Sequence, residues 1–198
     1  MKIIDDYYKK IRKERKKIAF TGTHCVGKST IINTLASKSW CEVIPECYRE
    51  TADFFGLLCN GDTKKQCYDT TLHCFFLQMQ KEIQYEKKSN KHIICDRTVF
   101  DCFLYAEANN KGHCFKTNYK LYNDCKKIAI NHLKTYDIIY FVKYEHYPIK
   151  DDGFRNLDID NQKWVHQFMF NNLIKLPNVK FISYQEGLEL QALEKINF

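Results

Sequence analysis

The run Ile18-Ala19-Phe20-Thr21-Gly22-Thr23-His24-Cys25-Val26-Gly27-Lys28-Ser29-Thr30 governs how the rest of this chain is read. Ile18 to Thr21 predict a short apolar strand. Gly22 to Ser29 match G-x-x-x-x-G-K-[ST] at every defined position, and Ile31, Ile32 and Leu35 recur at helical spacing. Strand, glycine-hinged loop and helix in that order are the context of a phosphate-binding P-loop. Its glycines let successive backbone N–H groups point inward at a triphosphate, and the helix adds its positive end. On this reading Gly22, Thr23, His24, Cys25, Val26, Gly27, Lys28, Ser29 and Thr30 cradle the nucleotide. Lys28 reaches the β- and γ-phosphates, and the Ser29 hydroxyl ligates Mg²⁺.

Working outward, the 198 residues suit one α/β domain, with 44% hydrophobic and 28% charged residues. No apolar run is long enough to span a membrane, and no secretory signal opens the sequence. The ten cysteines form no C-x-x-C pair and no zinc-finger spacing. Scattered in strands and helices, they predict free thiols in a reducing, cytoplasmic setting. The net charge is +7, and eight basic against three acidic residues among the first 17 hold most of it. Residues 1–16 thus form a basic arm, with Ile3, Ile4, Tyr7, Tyr8 and Ile11 along one side, that is either solvated or touches a polyanion. Residues 17–198 form a single domain.

Trp40 to Pro45 predict a second strand, followed at once by Glu46 and Arg49. Ligands of parallel α/β sheets sit at the carboxyl ends of strands. Glu46 there is a candidate base for a substrate hydroxyl, and Arg49 a candidate anion clamp. The alternative is a helix's first turn carrying an acid and an i, i+3 ion pair. A helix over about 70–88 places Leu72, Phe75, Phe76, Met79 and Ile83 in the core, and Gln78 and Glu82, one turn apart, toward a base or sugar. Lys91 to Asp96 predict a strand ending in an acid, as a Walker-B strand does. Asp96 would hold Mg²⁺ or a substrate hydroxyl, and Arg97 would reach phosphoryl groups or substrate. Asp101, one turn into the next helix, is a lesser substrate candidate.

A helix over 116–134 buries Leu121, Ile128 and Leu133. A strand over 136–142 follows, then a hinged polar segment at about 145–160 that would serve as a lid. Within it Arg155 would supply charge to the transferring phosphoryl group. A helix over 160–174, a strand over 179–183 and a terminal helix over 187–196 complete the chain. Only five of the 31 basic residues are arginine. The three outside the arm, Arg49, Arg97 and Arg155, all fall on positions nominated for anion contacts, where a planar fork outperforms an ammonium.

Gly22 to Thr30, Val43-Ile44-Pro45-Glu46-Cys47-Tyr48-Arg49, Cys95-Asp96-Arg97-Thr98-Val99-Phe100-Asp101 through Tyr105-Ala106, and Asp151-Asp152-Gly153-Phe154-Arg155 together resemble the AAA_28-type P-loop kinases, the group that includes the NadR kinase domain. More distantly they resemble deoxynucleoside and thymidylate kinases. The likeness runs over roughly residues 17–184 and leaves out the basic arm. It implies a P-loop three-layer sandwich with a five-stranded parallel sheet, ATP with Mg²⁺ as donor, a lid, and Glu46 or Asp96 as the acceptor-positioning base. The expected activity is phosphoryl transfer to a nucleoside, nucleotide or nicotinamide riboside-like acceptor. A polynucleotide 5′-hydroxyl kinase and a non-catalytic nucleotide-binding module are the alternatives. The absence of an N-K-x-D motif favours ATP.

Overall fold

The computed structural model describes residues 15–37, 41–56, 64–109, 120–145 and 158–190, with side chains omitted for 64–67. The five strands are β1 (Lys17–Thr21), β2 (Cys41–Ile44), β3 (His92–Asp96), β4 (Ile138–Val142) and β5 (Val179–Ile182). All pair in parallel, in the order β2-β3-β1-β4-β5. The P-loop strand is central because both its faces are apolar, and every residue of β1 is buried. Parallel strands covered on both sides require such near-continuous burial.

The helices are α1 (Lys28–Ala36), α2 (Tyr48–Phe55), α3 (Lys64–Lys88), α4 (Asp101–Asn109), α5 (Lys120–His132), α6 (Ile159–Leu173) and α7 (Tyr184–Glu189). One apolar layer joins α1 to the sheet through Ile31, Ile32, Leu35, Phe20, Ile94 and Val142. The opposite, larger layer packs α3, α4, α5 and α6 around Phe75, Phe103, Tyr122, Phe141 and Met169. The predicted five-stranded parallel sheet between two helical layers is the observed architecture.

Local chemistry sets several boundaries. Asp158 caps α6 by accepting from Asp160 and Asn161 backbone N–H groups. Ser183, expected at the end of β5, instead starts α7 in a reciprocal capping box with Glu186. The α4 helix begins at Asp101, three residues later than expected, because Thr98 and Asp101 close a turn first. The α3 helix begins six residues earlier than the predicted 70.

The buried faces expected for two helices are found in part: Leu72 and Phe75 on α3, and Leu133 just after α5, are buried as expected. Phe76 and Ile83 are exposed on α3, and Leu121 and Ile128 on α5. The α5 helix buries Tyr122, Cys125 and Ala129, a stripe one residue round the helix from the predicted Leu121 and Ile128. Tyr122 decides that rotation, because its ring packs edge-on to Phe103 and stacks on Tyr68. The seven cysteines whose side chains are described are all free thiols. No helix among the described residues is long and apolar enough to cross a membrane. Trp40, residues 57–62, 116–119 and 191–196, and most of the 1–16 arm and the 145–160 lid segment lie outside the described residues.

Candidate active site

The loop from Gly22 to Gly27 connects the carboxyl end of β1 to α1, and its backbone explains its glycines. Gly22 has φ 127°, and a Cβ on it would lie 2.8 Å from the Val142 carbonyl oxygen. Gly27 has φ 86°, and a Cβ there would lie 2.3 Å from the Tyr184 ring. Both the conformation and the space therefore demand glycine. Cys25 is also left-handed at φ 58°, so the loop curls back over its own centre.

Lys28 turns into that curl. Its Nζ donates to the carbonyl oxygens of Gly22 (3.0 Å) and Thr23 (2.6 Å). Burial and the Arg97 guanidinium pull its pKa down to about 8, although Asp96, Glu46 and Asp101 oppose the shift. Ser29 is exposed at the mouth, and its hydroxyl donates to Asp96 Oδ2 at 2.9 Å. Asp96 ends β3, next to β1, in register with Phe20. Its Oδ1 is buried without a hydrogen-bond partner among the described residues. Burial raises the Asp96 pKa, Lys28 lowers it and Glu46 raises it further.

An orphaned carboxylate oxygen beside a hydroxyl is a donor pair that suits Mg²⁺. That ion keeps several waters and takes one or two protein oxygens together with nucleotide phosphates. The residues present fit the ion. Among the described residues, no cluster of three or more His, Cys, Asp or Glu offers a fully protein-built metal site.

Glu46 and Arg97 meet across the edge of the sheet. Glu46 follows β2, Arg97 follows β3, and Arg97 Nε donates to Glu46 Oε1 in a close ion pair. Burial works against the Glu46 charge, yet Arg97 and Lys28 hold its carboxyl below the usual range. Arg97 adopts a left-handed φ of 85°, a conformation that costs a non-glycine residue about 1–3 kcal/mol. Its guanidinium is fixed on every side. Its Nη1 donates to Gly22 O at 3.3 Å and lies 3.5 Å from Asp101 Oδ2, and its plane sits 4.6 Å from the Tyr105 ring centre. The strained backbone aims this head at the P-loop, and these contacts hold it there.

The other predicted positions divide. Asp101 is fully buried, accepts from Thr21 Oγ1 through both oxygens and from Thr98 Oγ1 at 2.5 Å, and so ties the end of β1 to α4. Gln78 is buried behind Glu46, where its Oε1 accepts from the Cys47 thiol and its Nε2 donates to Glu82. Glu82, expected to face a ligand, is turned to the other end of the sheet. There it meets Lys17 at 2.6 Å, His132 at 2.8 Å and the Tyr136 hydroxyl at 2.7 Å. Arg49 is exposed in the first turn of α2, and its charge helps hold Glu46 ionised. Arg155 lies outside the described residues. Gln162, which sequence reasoning passed over, is fully buried and donates to His24 O at 2.7 Å. An uncharged amide on a helix carried no signal of a partner 138 residues away.

This arrangement has counterparts. The family model AAA_28, described as an AAA domain, matches residues 17–189. The chain belongs to this family of P-loop kinases. A probable deoxycytidine kinase of Fowlpox virus (strain NVSL) is 26% identical over 170 residues, covering 77% of this chain and 72% of the viral one. Among solved structures, deoxyadenosine kinase from M. mycoides with bound dATP superposes with a TM-score of 0.68 at 18% identity. That match covers 93% of this chain and 100% of that one. NadR in complex with NR gives a TM-score of 0.59 at 16% identity, over 89% of this chain and 51% of that one. The kinase fold is shared with both, and the family member described here is an ATP-dependent phosphotransferase.

Proposed function

We propose that this kinase transfers the γ-phosphoryl group of ATP to a hydroxyl of a nucleoside, with deoxynucleosides the foremost acceptors. The observation that carries the reading is the Glu46–Arg97 pair, placed beside Lys28 and one strand from the Ser29–Asp96 pair. A triphosphate in the loop displaces the two carbonyl contacts of Lys28, whose ammonium then faces the β- and γ-phosphates. Ser29 and Asp96 would hold Mg²⁺, which when bound would supply positive charge to the phosphoryl oxygens. Glu46 accepts a hydrogen bond from the acceptor hydroxyl and aligns it for in-line attack.

As the new O–P bond forms and the bond to the β-phosphate oxygen breaks, the hydroxyl proton passes to Glu46 and ADP leaves. In a loose transition state the acceptor oxygen keeps its proton until late, so even a weakly basic, ionised carboxylate such as Glu46 suffices. Arg97 neutralises Glu46 before substrate enters and faces the transferring group afterwards. Arg49 at the mouth of the cleft meets the acceptor, and Arg155 adds lid charge. We assign Asp101 and Gln78 to positioning, because their oxygens are already held by protein donors.

The names of the relatives support a nucleoside acceptor: deoxycytidine in one printed name, deoxyadenosine in another, NR in a third complex. Outside the first 17 residues the net charge is only +2, which counts against a basic groove for a polynucleotide. The test is a transfer screen with ATP and Mg²⁺ against deoxynucleosides, ribonucleosides, nicotinamide riboside and 5′-hydroxyl oligonucleotides. Phosphorylation of a deoxynucleoside well above the rest is expected. Transfer to oligonucleotides alone, or to nothing despite tight ATP binding, overturns the reading.

A further inference from the structure

The turn between β3 and α4 carries the left-handed Arg97, and its next three amides are each met by a side chain. Thr98 N donates to Asp101 Oδ1 at 3.3 Å, Val99 N to the Tyr136 hydroxyl at 3.1 Å, and Phe100 N to Thr98 Oγ1 at 3.3 Å. Two of these acceptors belong to the turn or to the first residue of α4. Tyr136, just before β4, reaches in from elsewhere in the fold. None of the chemistry assigned so far uses it.

The Tyr136 hydroxyl is held in turn. It donates to Glu82 Oε1 at 2.7 Å, and burial together with the Glu82 charge raises its pKa, so this donor keeps its proton. Its ring is fixed independently, with Lys17 Nζ 4.6 Å from its centre and the His132 ring edge-on. The same Glu82 oxygen accepts from Gln78 Nε2 at 3.0 Å, and Gln78 Oε1 accepts from the Cys47 thiol at 3.0 Å. Cys47 follows Glu46 directly, and burial pushes its pKa up to about 12. Glu82 thus divides its oxygens. Oε2 meets Lys17 and His132, and Oε1 takes both chains of hydrogen bonds that lead to the site. Cys47, Gln78, Glu82 and Tyr136 are all buried, where such bonds are stronger than in water.

Building on the roles given above to Glu46 and Arg97, we propose that Tyr136 and Cys47 are positioning residues for phosphoryl transfer. Through them one buried carboxylate oxygen fixes both halves of the Glu46–Arg97 pair. A non-glycine residue keeps a left-handed backbone when its surroundings over-determine it, and Tyr136 supplies such a constraint two residues from Arg97. The Cys47–Gln78 link acts one residue from Glu46. A common anchor keeps the base and the guanidinium in register while substrates enter and leave.

Two full-length variants test this. Tyr136→Phe keeps the ring and removes the hydroxyl, and Cys47→Ala removes the thiol donor. The expected fall in kcat is about tenfold for the first and roughly threefold for the second, with the KM for ATP within about twofold of the parent. Leu173→Ala, an apolar truncation in the same core layer, should lower the melting point further and leave kcat near the parent value. Amide hydrogen exchange reads the contact without any acceptor: in Tyr136→Phe, Val99 should lose protection by about tenfold more than Ile94 in β3. The kcat is measured on whichever acceptor the parent phosphorylates, so an acceptor other than a nucleoside overturns that assignment and leaves this test intact. Parent-like kcat in either variant overturns the proposal. An equal kcat loss in Leu173→Ala overturns it too, as does Val99 protection that tracks Ile94.

Discussion

Ser29 and Asp96, 67 residues apart in sequence, meet through a 2.9 Å hydrogen bond that joins the start of α1 to the end of β3. The contact exists because β3 lies directly beside β1, so both carboxyl ends open into one crevice. Asp96 keeps one buried oxygen without a protein donor, and that oxygen gives the pair a second task besides the hydrogen bond.

Asp96→Asn retains the shape but loses the charge that suits Mg²⁺. Turnover is expected to fall about 100-fold or more, with the Mg²⁺ concentration for half-maximal rate raised. ATP binding without metal changes little. Steady-state rates across a Mg²⁺ titration check it, and an unchanged metal dependence refutes the assignment.

Glu46→Gln keeps the hydrogen bond to Arg97 but removes the proton acceptor. The expected loss is in kcat, by about 10²–10⁴-fold, with the KM for ATP close to that of the parent. Single-turnover phosphoryl transfer reads this directly. Transfer at the parental rate would mean that Glu46 does not face the acceptor hydroxyl.

Lys28 makes ATP affinity pH-dependent. Its folded pKa is near 8, below the ordinary 10.5, so its ammonium is lost as pH rises through about 8. ATP affinity should then decline above pH 8, approaching tenfold per unit, with proton uptake on binding in that range. Lys28→Arg should flatten the profile. The sign for stability is the reverse. Between about 8 and 10.5 the unfolded chain binds more protons than the folded one, so the Lys28 contribution grows more favourable as pH rises. Calorimetry in buffers of different ionisation enthalpy measures the uptake, and a flat profile for the parent would refute the claim.

Gln162 supports the loop from α6. Gln162→Ala removes the amide donor to the His24 carbonyl and leaves a gap in a packed layer, at an expected cost of about 1–3 kcal/mol in denaturant unfolding. The KM for ATP should rise more than kcat falls, because the loop loses its backing and the reacting groups stay in place. A stability loss with no change in KM would reduce Gln162 to a packing residue.

At the far end of the sheet, Glu82→Leu leaves the buried Lys17 ammonium with weaker company. Breaking such a pair costs about 3–5 kcal/mol. The Glu82 carboxyl is held below its ordinary pKa by His132 and Lys17, against the effect of burial. Its contribution is present above the unfolded pKa near 4.5 and is lost as pH falls through the lower folded value. Acid unfolding followed by circular dichroism should therefore show a shallower pH dependence in the variant than in the parent.

The residues alone determined the loop, the strands and the acid-ended β3. Gly22, Gly27 and Lys28 obey spacing rules set by backbone geometry within one turn, and strands buried on both faces write their apolarity into consecutive positions. Side-chain rotation about a helix axis is decided by neighbours distant in sequence. That is why Leu121 and Ile128 read as core yet face outward, while Tyr122 turns in to meet Phe103. The same holds at the site. Glu46, Asp96 and Arg97 could be nominated from their places after strands. Only the order β2-β3-β1 brings Glu46 onto Arg97 and sends Glu82 away to Lys17. Gln162 left no trace in its local pattern, because its role depends on α6 folding back against a loop 138 residues earlier. Local backbone demands are legible in a sequence; partnerships across the sheet arise only when chain topology closes the distance.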